Sequence, residues 1–296
     1  MNQSNIKILV ATHKPSFVYK DDVFIPIHVG KANAKVNLSF LGDDTGENIS
    51  TKNPNYCELT ALYWAWKNLK DVDYIGLCHY RRYFDLSTHD AALRQITEEE
   101  LESFGRLNSS LLQKRVENLG DYEVILPRFW SLPHSVLEEF QDTVLRQDMH
   151  ILFHVIKKTH PQYMGAVEKY MLGNHRTGYN MFVMTRNCFE NYANWLFSIL
   201  QEVERNVKTS PYTTYRRVFG YMGEWLLPIY CWHNQLRITQ ERTCMVTTTS
   251  HKTTHGMKYL KNKLCDLEFS LYRKLNKLEL FSAFWDNSLK ADGIVL

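Results

Sequence analysis

Four consecutive residues, His79-Tyr80-Arg81-Arg82, follow a short apolar run and join an imidazole to two guanidinium groups. A guanidinium stays charged at any physiological pH, and its planar fork donates to two phosphate oxygens at once. At a strand end such groups can neutralise a diphosphate where other enzymes use a metal. Extended backbone would send Arg81 and Arg82 to opposite sides, so one of them is expected to face the ligand. A plain pair of surface arginines is the competing reading. Glu224, in "GYMGEWLLPIY", reads as an acid among apolar residues at the start of a helix. Burial raises a carboxyl pKa toward useful base strength, so Glu224 can take the proton of an attacking hydroxyl. A carboxylate that only complements the helix dipole would look the same. "HRTGYNMFVM" adds His175, Arg176 and Asn180, whose amide can bind a sugar hydroxyl or tie down backbone.

Other chemistry is absent or misplaced. Asp71-Val72-Asp73 is a D-x-D pair of the kind that holds a metal on a diphosphate. It stands at the amino end of a strand, where a turn is expected, and ligands bind at the carboxyl ends. The remaining histidines, among them His134, His150, His154, His160, His251 and His255, show no convincing ligand spacing, so no metal ligand is expected. Neither a G-x-G-x-x-G nor a P-loop glycine pattern occurs, and H-E-x-x-H and G-x-S-x-G are missing too. That argues against the common dehydrogenase, NTPase, zincin and lipase designs.

Composition narrows the class. The 296 residues are 44% hydrophobic and 23% charged, ordinary globular usage that excludes disordered and fibrous chains. Thirty-five basic against 32 acidic residues is too balanced for a dedicated nucleic-acid binder. Six cysteines, scattered singly, fit a reducing compartment better than a disulfide framework. The N-terminus lacks the basic-then-apolar order of a signal peptide, and no run reaches the length of a membrane span. A cytoplasmic protein is expected.

These groups need elements to position them. Ile6–Ala11 reads as a buried strand opening into the polar Thr12-His13-Lys14, and 42–55 as a turn-rich loop. Leu59, Leu62, Tyr63, Trp66 and Leu69 recur at helical steps, with Asn55 as expected N-cap and Glu58 completing a capping box. Strands are expected at 74–80, 122–127, 178–185 and near 243–250. Helices are expected within 86–119, over 135–172 with a break at Pro161, over 187–204, and over 223–235 with a bend at Pro228. Strands alternating with helices give an α/β sandwich. From Gly256 on, Leu260, Leu264, Leu267, Leu271, Leu275 and Leu278 keep helical spacing among lysines and arginines. That is a basic amphipathic helix, either packed on the domain or lying on an anionic membrane surface.

Taken together, "ISTKNPNYCELTALYWAWKN", "YIGLCHYRRYF", "YNMFVM", "NYANWLFSIL" and "GYMGEWLLPIY" resemble a bacterial family of capsule and exopolysaccharide glycosyltransferases formerly listed as a domain of unknown function. The likeness runs from about Ile6 to Tyr230. It implies a GT-A-like mixed sheet flanked by helices over 1–255, with 256–296 as a helical basic tail. It implies transfer from a nucleotide donor, with UDP-galactofuranose or another UDP-hexose as candidates, to a growing capsular, exopolysaccharide or O-antigen glycan. Thr12, His13, Lys14, Asn53, Tyr56, His79, Arg81 and Arg82 are the implied donor residues. His175, Arg176, Asn180 and Trp225 are those for the acceptor, and Glu224 is the base of an inverting displacement. No carboxylates stand where the family fold usually holds its metal, so no divalent cofactor is expected. A lipid-linked acceptor and peripheral contact with the inner membrane face through the tail are the expected partners. A non-catalytic glycan- or nucleotide-binding module, or another polysaccharide-modifying transferase, remains the alternative.

Overall fold

The computed structural model describes residues 4–87, 94–117, 122–248 and 257–294. In chain order the elements are β1 (Ile6–Thr12), β2 (Phe24–His28), β3 (Leu41–Gly42), α1 (Asn53–Tyr56), α2 (Leu59–Asn68), β4 (Tyr74–His79), β5 (Arg82–Asp85), β6 (Arg94–Ile96) and α3 (Glu98–Glu117). Next come β7 (Val124–Pro127), β8 (Trp130–Ser131), α4 (Val136–Glu139), α5 (Arg146–Thr159), α6 (Met164–Met171), β9 (His175–Arg176) and β10 (Phe182–Thr185). The chain closes with α7 (Arg186–Asn206), α8 (Val218–His233), β11 (Ile238–Val246), α9 (Met257–Leu275) and α10 (Ala283–Ala291).

The chain divides into two compact units, each assembled from three stretches. The first takes 1–128, 178–193 and 236–259; the second takes 129–177, 194–235 and 260–296. The expected division at 255/256, with a separate tail, is not the one observed, because residues from Leu260 onward belong to the second unit.

The first unit is built on a mixed sheet, nine-stranded among the described residues, in the order β10-β7-β11-β5-β4-β1-β2-β3, with β6 on β11. β1, β2, β3 and β4 run parallel, and β1 is apolar on both faces, as a doubly covered parallel strand must be. β4 bonds β10 antiparallel from Tyr74 to Leu77 and then pairs His79 with Arg82 of β5. Gly76 makes the β10 approach possible: a Cβ there would sit 2.7 Å from the Phe182 carbonyl oxygen. Ile8, Val10, Phe24, Tyr83, Phe104 and Leu112 are core residues of one face, the last two from α3.

The second unit is mainly helical. Tyr163 stacks on Trp195 at 4.6 Å, and Phe140 meets Trp225 edge-on at 4.8 Å. The apolar sequence of α8 is buried nearly throughout, with Pro228 inside it. α9 packs through Cys265 and Phe269, while Leu260, Leu264, Leu267, Leu271 and Leu275 are exposed.

Several expectations change. Cys57 takes φ 52, ψ −132, which ends α1 and restarts the helix at Leu59, so Asn55 lies inside α1 rather than at an N-cap position, and Glu58 is itself the N-cap residue of α2 rather than the end of a capping box. Tyr80-Arg81 is the turn of a tight hairpin, so strand alternation does not govern where the two arginines point. Glu224 is the seventh residue of α8, beyond the reach of its N-terminal dipole. The basic tail is two helices rather than one. The late strand starts at Ile238, and the end of its expected range, from 249, lies outside the described residues, as do His251 and His255.

Candidate functional site

In the first unit the parallel strands deliver Thr12, His28, Gly42 and His79 to one edge, that of their carboxyl ends. Thr12 is buried and donates its hydroxyl to the Val10 carbonyl, and its own carbonyl accepts from Val29 N–H. It therefore shapes the strand end. His13 meets the Tyr80 ring edge-on at 5.5 Å, so the loops after β1 and β4 touch. The loop after β3 is held by Asp43, fully buried, which accepts from Gly30 N–H, Lys31 N–H, Ser50 Oγ and Thr60 Oγ1 at 2.5–3.1 Å. Gly30 (φ 68) is needed there, since a Cβ would strike Asn53. Asn53 donates to the Cys57 carbonyl and to Thr60 Oγ1, and Tyr56 is buried; both build this corner.

Around His79 the geometry departs from ordinary backbone. Tyr179 and Asn180, just before β10, are consecutive non-glycine residues at φ 73 and 51. Left-handed backbone at such residues costs free energy and persists only where the surroundings enforce it. Here His79 Nε2 donates to the Tyr179 carbonyl at 2.6 Å, and the Asn180 amide donates to Glu58 Oε1, also at 2.6 Å. A carbonyl can only accept, so Nε2 carries hydrogen and Nδ1 is the nitrogen able to take up a proton. Glu58 Oε1 lies 4.0 Å from His79 Nε2. Glu58 directly follows the strained Cys57. Three left-handed residues thus surround one carboxylate and one imidazole.

Cations gather beside them. The Arg82 guanidinium stands 4.4 Å over the Tyr179 ring, and its buried Nε has no hydrogen-bond partner. Arg81 is exposed and lies 5.0 Å over the Tyr80 ring. Among the described residues neither arginine has an ion-pair partner, and Lys14, exposed after β1, has none either. Elsewhere in this unit guanidinium groups are neutralised, as Arg242 is by Asp85 and Arg115 by Glu241. Unneutralised arginines at a strand's carboxyl end are suited to an anionic ligand.

Four of the expected residues belong to the second unit. The Arg176 guanidinium bridges Glu139 at 3.0 Å and Glu224 at 3.1 Å, and lies over the Phe140 ring at 4.3 Å. Glu224 is therefore held by a cation rather than surrounded by apolar groups alone. Trp225 is wholly buried and offers no open face for a sugar. His175 lies 3.7 Å from Asp266. Sequence reading missed Glu58 as a site carboxylate, treating it as a cap, and missed Tyr179; neither carries a local signal, because their roles depend on the positive-φ turns. A cavity of about 550 Å³ at the amino end of β2, lined by Tyr19, Asp21, Arg106, Gln113 and Glu117 among others, lies on the opposite edge of the parallel strands.

A mixed α/β sheet with unpaired cations and a locked turn at its carboxyl edge defines the class. The chain belongs to the family described as Domain of unknown function (DUF4422), whose model matches residues 7–235. Among solved structures it is similar to the apo form of WbbM, a bifunctional glycosyltransferase, with 32% identity and a TM-score of 0.75. The likeness covers 82% of this chain and 45% of that one, so the chain spans less than half the length of that protein. No curated protein matches it.

Proposed function

We propose that the chain is a glycosyltransferase of GT-A-like design that moves a sugar from a nucleoside-diphosphate donor to a growing capsular, exopolysaccharide or O-antigen glycan. The observation that supports this most is the pair of arginines without counter-charge at the end of β4, beside a strained turn, in a chain similar to a glycosyltransferase. Arg82, Arg81 and Lys14 compensate the leaving diphosphate, so a divalent ion is not required there. His13 belongs to the same donor edge.

In the proposed step the acceptor oxygen bonds to the anomeric carbon as the carbon–oxygen bond to the diphosphate breaks. Glu58, positioned by Asn180 and His79, takes the acceptor proton, and the configuration inverts. We assign the base to Glu58 rather than Glu224 because Glu224 is ion-paired to the Arg176 guanidinium, whereas the hydrogen bond on Glu58 comes from the neutral Asn180 amide. UDP-galactofuranose and UDP-hexoses are the donors to try first. A mass-spectrometric screen of nucleotide sugars with lipid-linked acceptors, in excess chelator, tests the reading. Transfer from one donor and thermal stabilisation by its nucleoside diphosphate are expected. No transfer and no stabilisation by any nucleoside diphosphate would overturn it, and activity only with added Mn²⁺ or Mg²⁺ would overturn the cation mechanism.

For a membrane-linked acceptor, the support comes from α9. Its exposed leucines form one continuous row on the side away from Cys265 and Phe269, edged by Lys261, Lys263 and Lys274. The leucine heptad fails at Lys274, where a coiled coil would need its next apolar residue. The partner proposed for this row is an anionic lipid surface, which takes both the leucines and the lysines. No helix among the described residues is long and apolar enough to cross a membrane.

A further inference from the structure

Two histidines one turn apart on α5, His150 and His154, meet Asp286 of α10 within the second unit. His154 Nε2 lies 2.8 Å and His150 Nδ1 4.0 Å from Asp286 Oδ1. One ligand atom from each residue falls within 4.8 Å of the other two. A tetrahedral ion with ligand bonds near 2.1 Å sets its ligands roughly 3.3 Å apart, so small side-chain rotations close the set. The i, i+4 spacing is one that puts two imidazoles on one side of a helix, facing one ion.

A second observation points the same way. His150 is completely buried, and neither of its ring nitrogens has a hydrogen-bond partner. Burying an unsatisfied imidazole costs free energy, which a bonded ion would offset. The rings of Phe281 and Trp285 lie 6.4 and 6.0 Å from His150 and screen it from water. The nearby Arg146 cation opposes a bound cation, and the Asp286 carboxylate offsets it.

We propose that His150, His154 and Asp286 bind one divalent transition-metal ion of the zinc class, with water in the fourth position, and that the ion clips α10 to α5. Two imidazoles and a carboxylate suit zinc or cobalt better than magnesium or calcium. The site is built from residues of the second unit alone, and the proposal is independent of the glycosyl-transfer reading.

The test titrates Co²⁺ into the untagged, chelator-stripped chain and follows visible absorption and thermal unfolding, with Zn²⁺ as competitor. One equivalent should bind with the absorption of tetrahedral cobalt, raise the Tm and be displaced by Zn²⁺. Replacing buried His150 risks the fold, so the variants are His154→Gln and Asp286→Asn, whose side chains are only partly buried. Each should weaken binding at least about tenfold and abolish the metal-dependent rise in Tm, while leaving the metal-free Tm close to the original. Absence of the absorption and of any stabilisation, or variants that bind as tightly as the parent, would overturn the proposal.

Discussion

At the scale of single residues, Arg82 is the sharpest element of the donor reading. Its stacked position on Tyr179 leaves the guanidinium edge for a ligand. Charge-assisted hydrogen bonds of this kind are worth about 1.5–3 kcal/mol, so Arg82→Ala should weaken nucleoside-diphosphate binding roughly 10- to 150-fold. Arg82→Lys keeps the charge and loses the fork, and calorimetry should place it in between. Glu58→Gln should leave that affinity intact and cut kcat about 100-fold or more. Glu224→Gln should cost less than about tenfold in kcat; the reverse order would move the base to Glu224. Thiol chemistry gives an independent check of the corner. Burial pushes Cys188 and Cys244 up to about 12 and Cys78 higher still, whereas Cys57 is only half-buried. Alkylation of the native protein should therefore modify Cys57 first, and mass spectrometry that finds a buried cysteine reacting earlier would contradict this packing.

Elements explain how much of this was legible in the sequence. Runs of one character, such as Ile6–Ala11, Tyr74–His79 and the α7 segment, show their type directly, because burial on both faces or at 3.6-residue spacing leaves a pattern. β2 was missed because a proline lies within it and two turn-forming aspartates precede it, and β5 because two residues suffice to reverse the chain after His79. The site was half legible. The arginines announce their chemistry by type, but Glu58, Tyr179 and Asn180 matter through backbone angles held by partners 100 and 122 positions away. The His150–His154 pair was present in the sequence and went unread because its third member comes from a distant helix. Gly76 tests the junction between β4 and β10. An added methyl group would press on Ile8 and on the Phe182 carbonyl, so Gly76→Ala should destabilise the protein by about 1–3 kcal/mol in denaturant titration. An unchanged midpoint would mean that the two strands can separate without cost.

For the molecule as a whole, the leucine row of α9 is the feature an isolated soluble protein has least use for. Replacing Leu264 and Leu271 with glutamate should leave the Tm nearly unchanged, since both are already exposed. It should reduce sedimentation with phosphatidylglycerol vesicles by at least about tenfold. Retained binding to such vesicles would remove the lipid surface from the proposal, and a shift from dimer to monomer on substitution would name a second copy as the partner instead. Raising the salt concentration should weaken vesicle binding of the parent chain, because Lys261, Lys263 and Lys274 contribute through screened charges.

β11 stands between β7 and β5, yet its residues are 238–246. During synthesis the ribosome releases most of the chain before this central position can be filled, and until then the flanking strands present open edges. The first unit is thus completed late, over contacts of long sequence separation, which makes slow maturation and a need for chaperone holding the natural expectation for the nascent polypeptide.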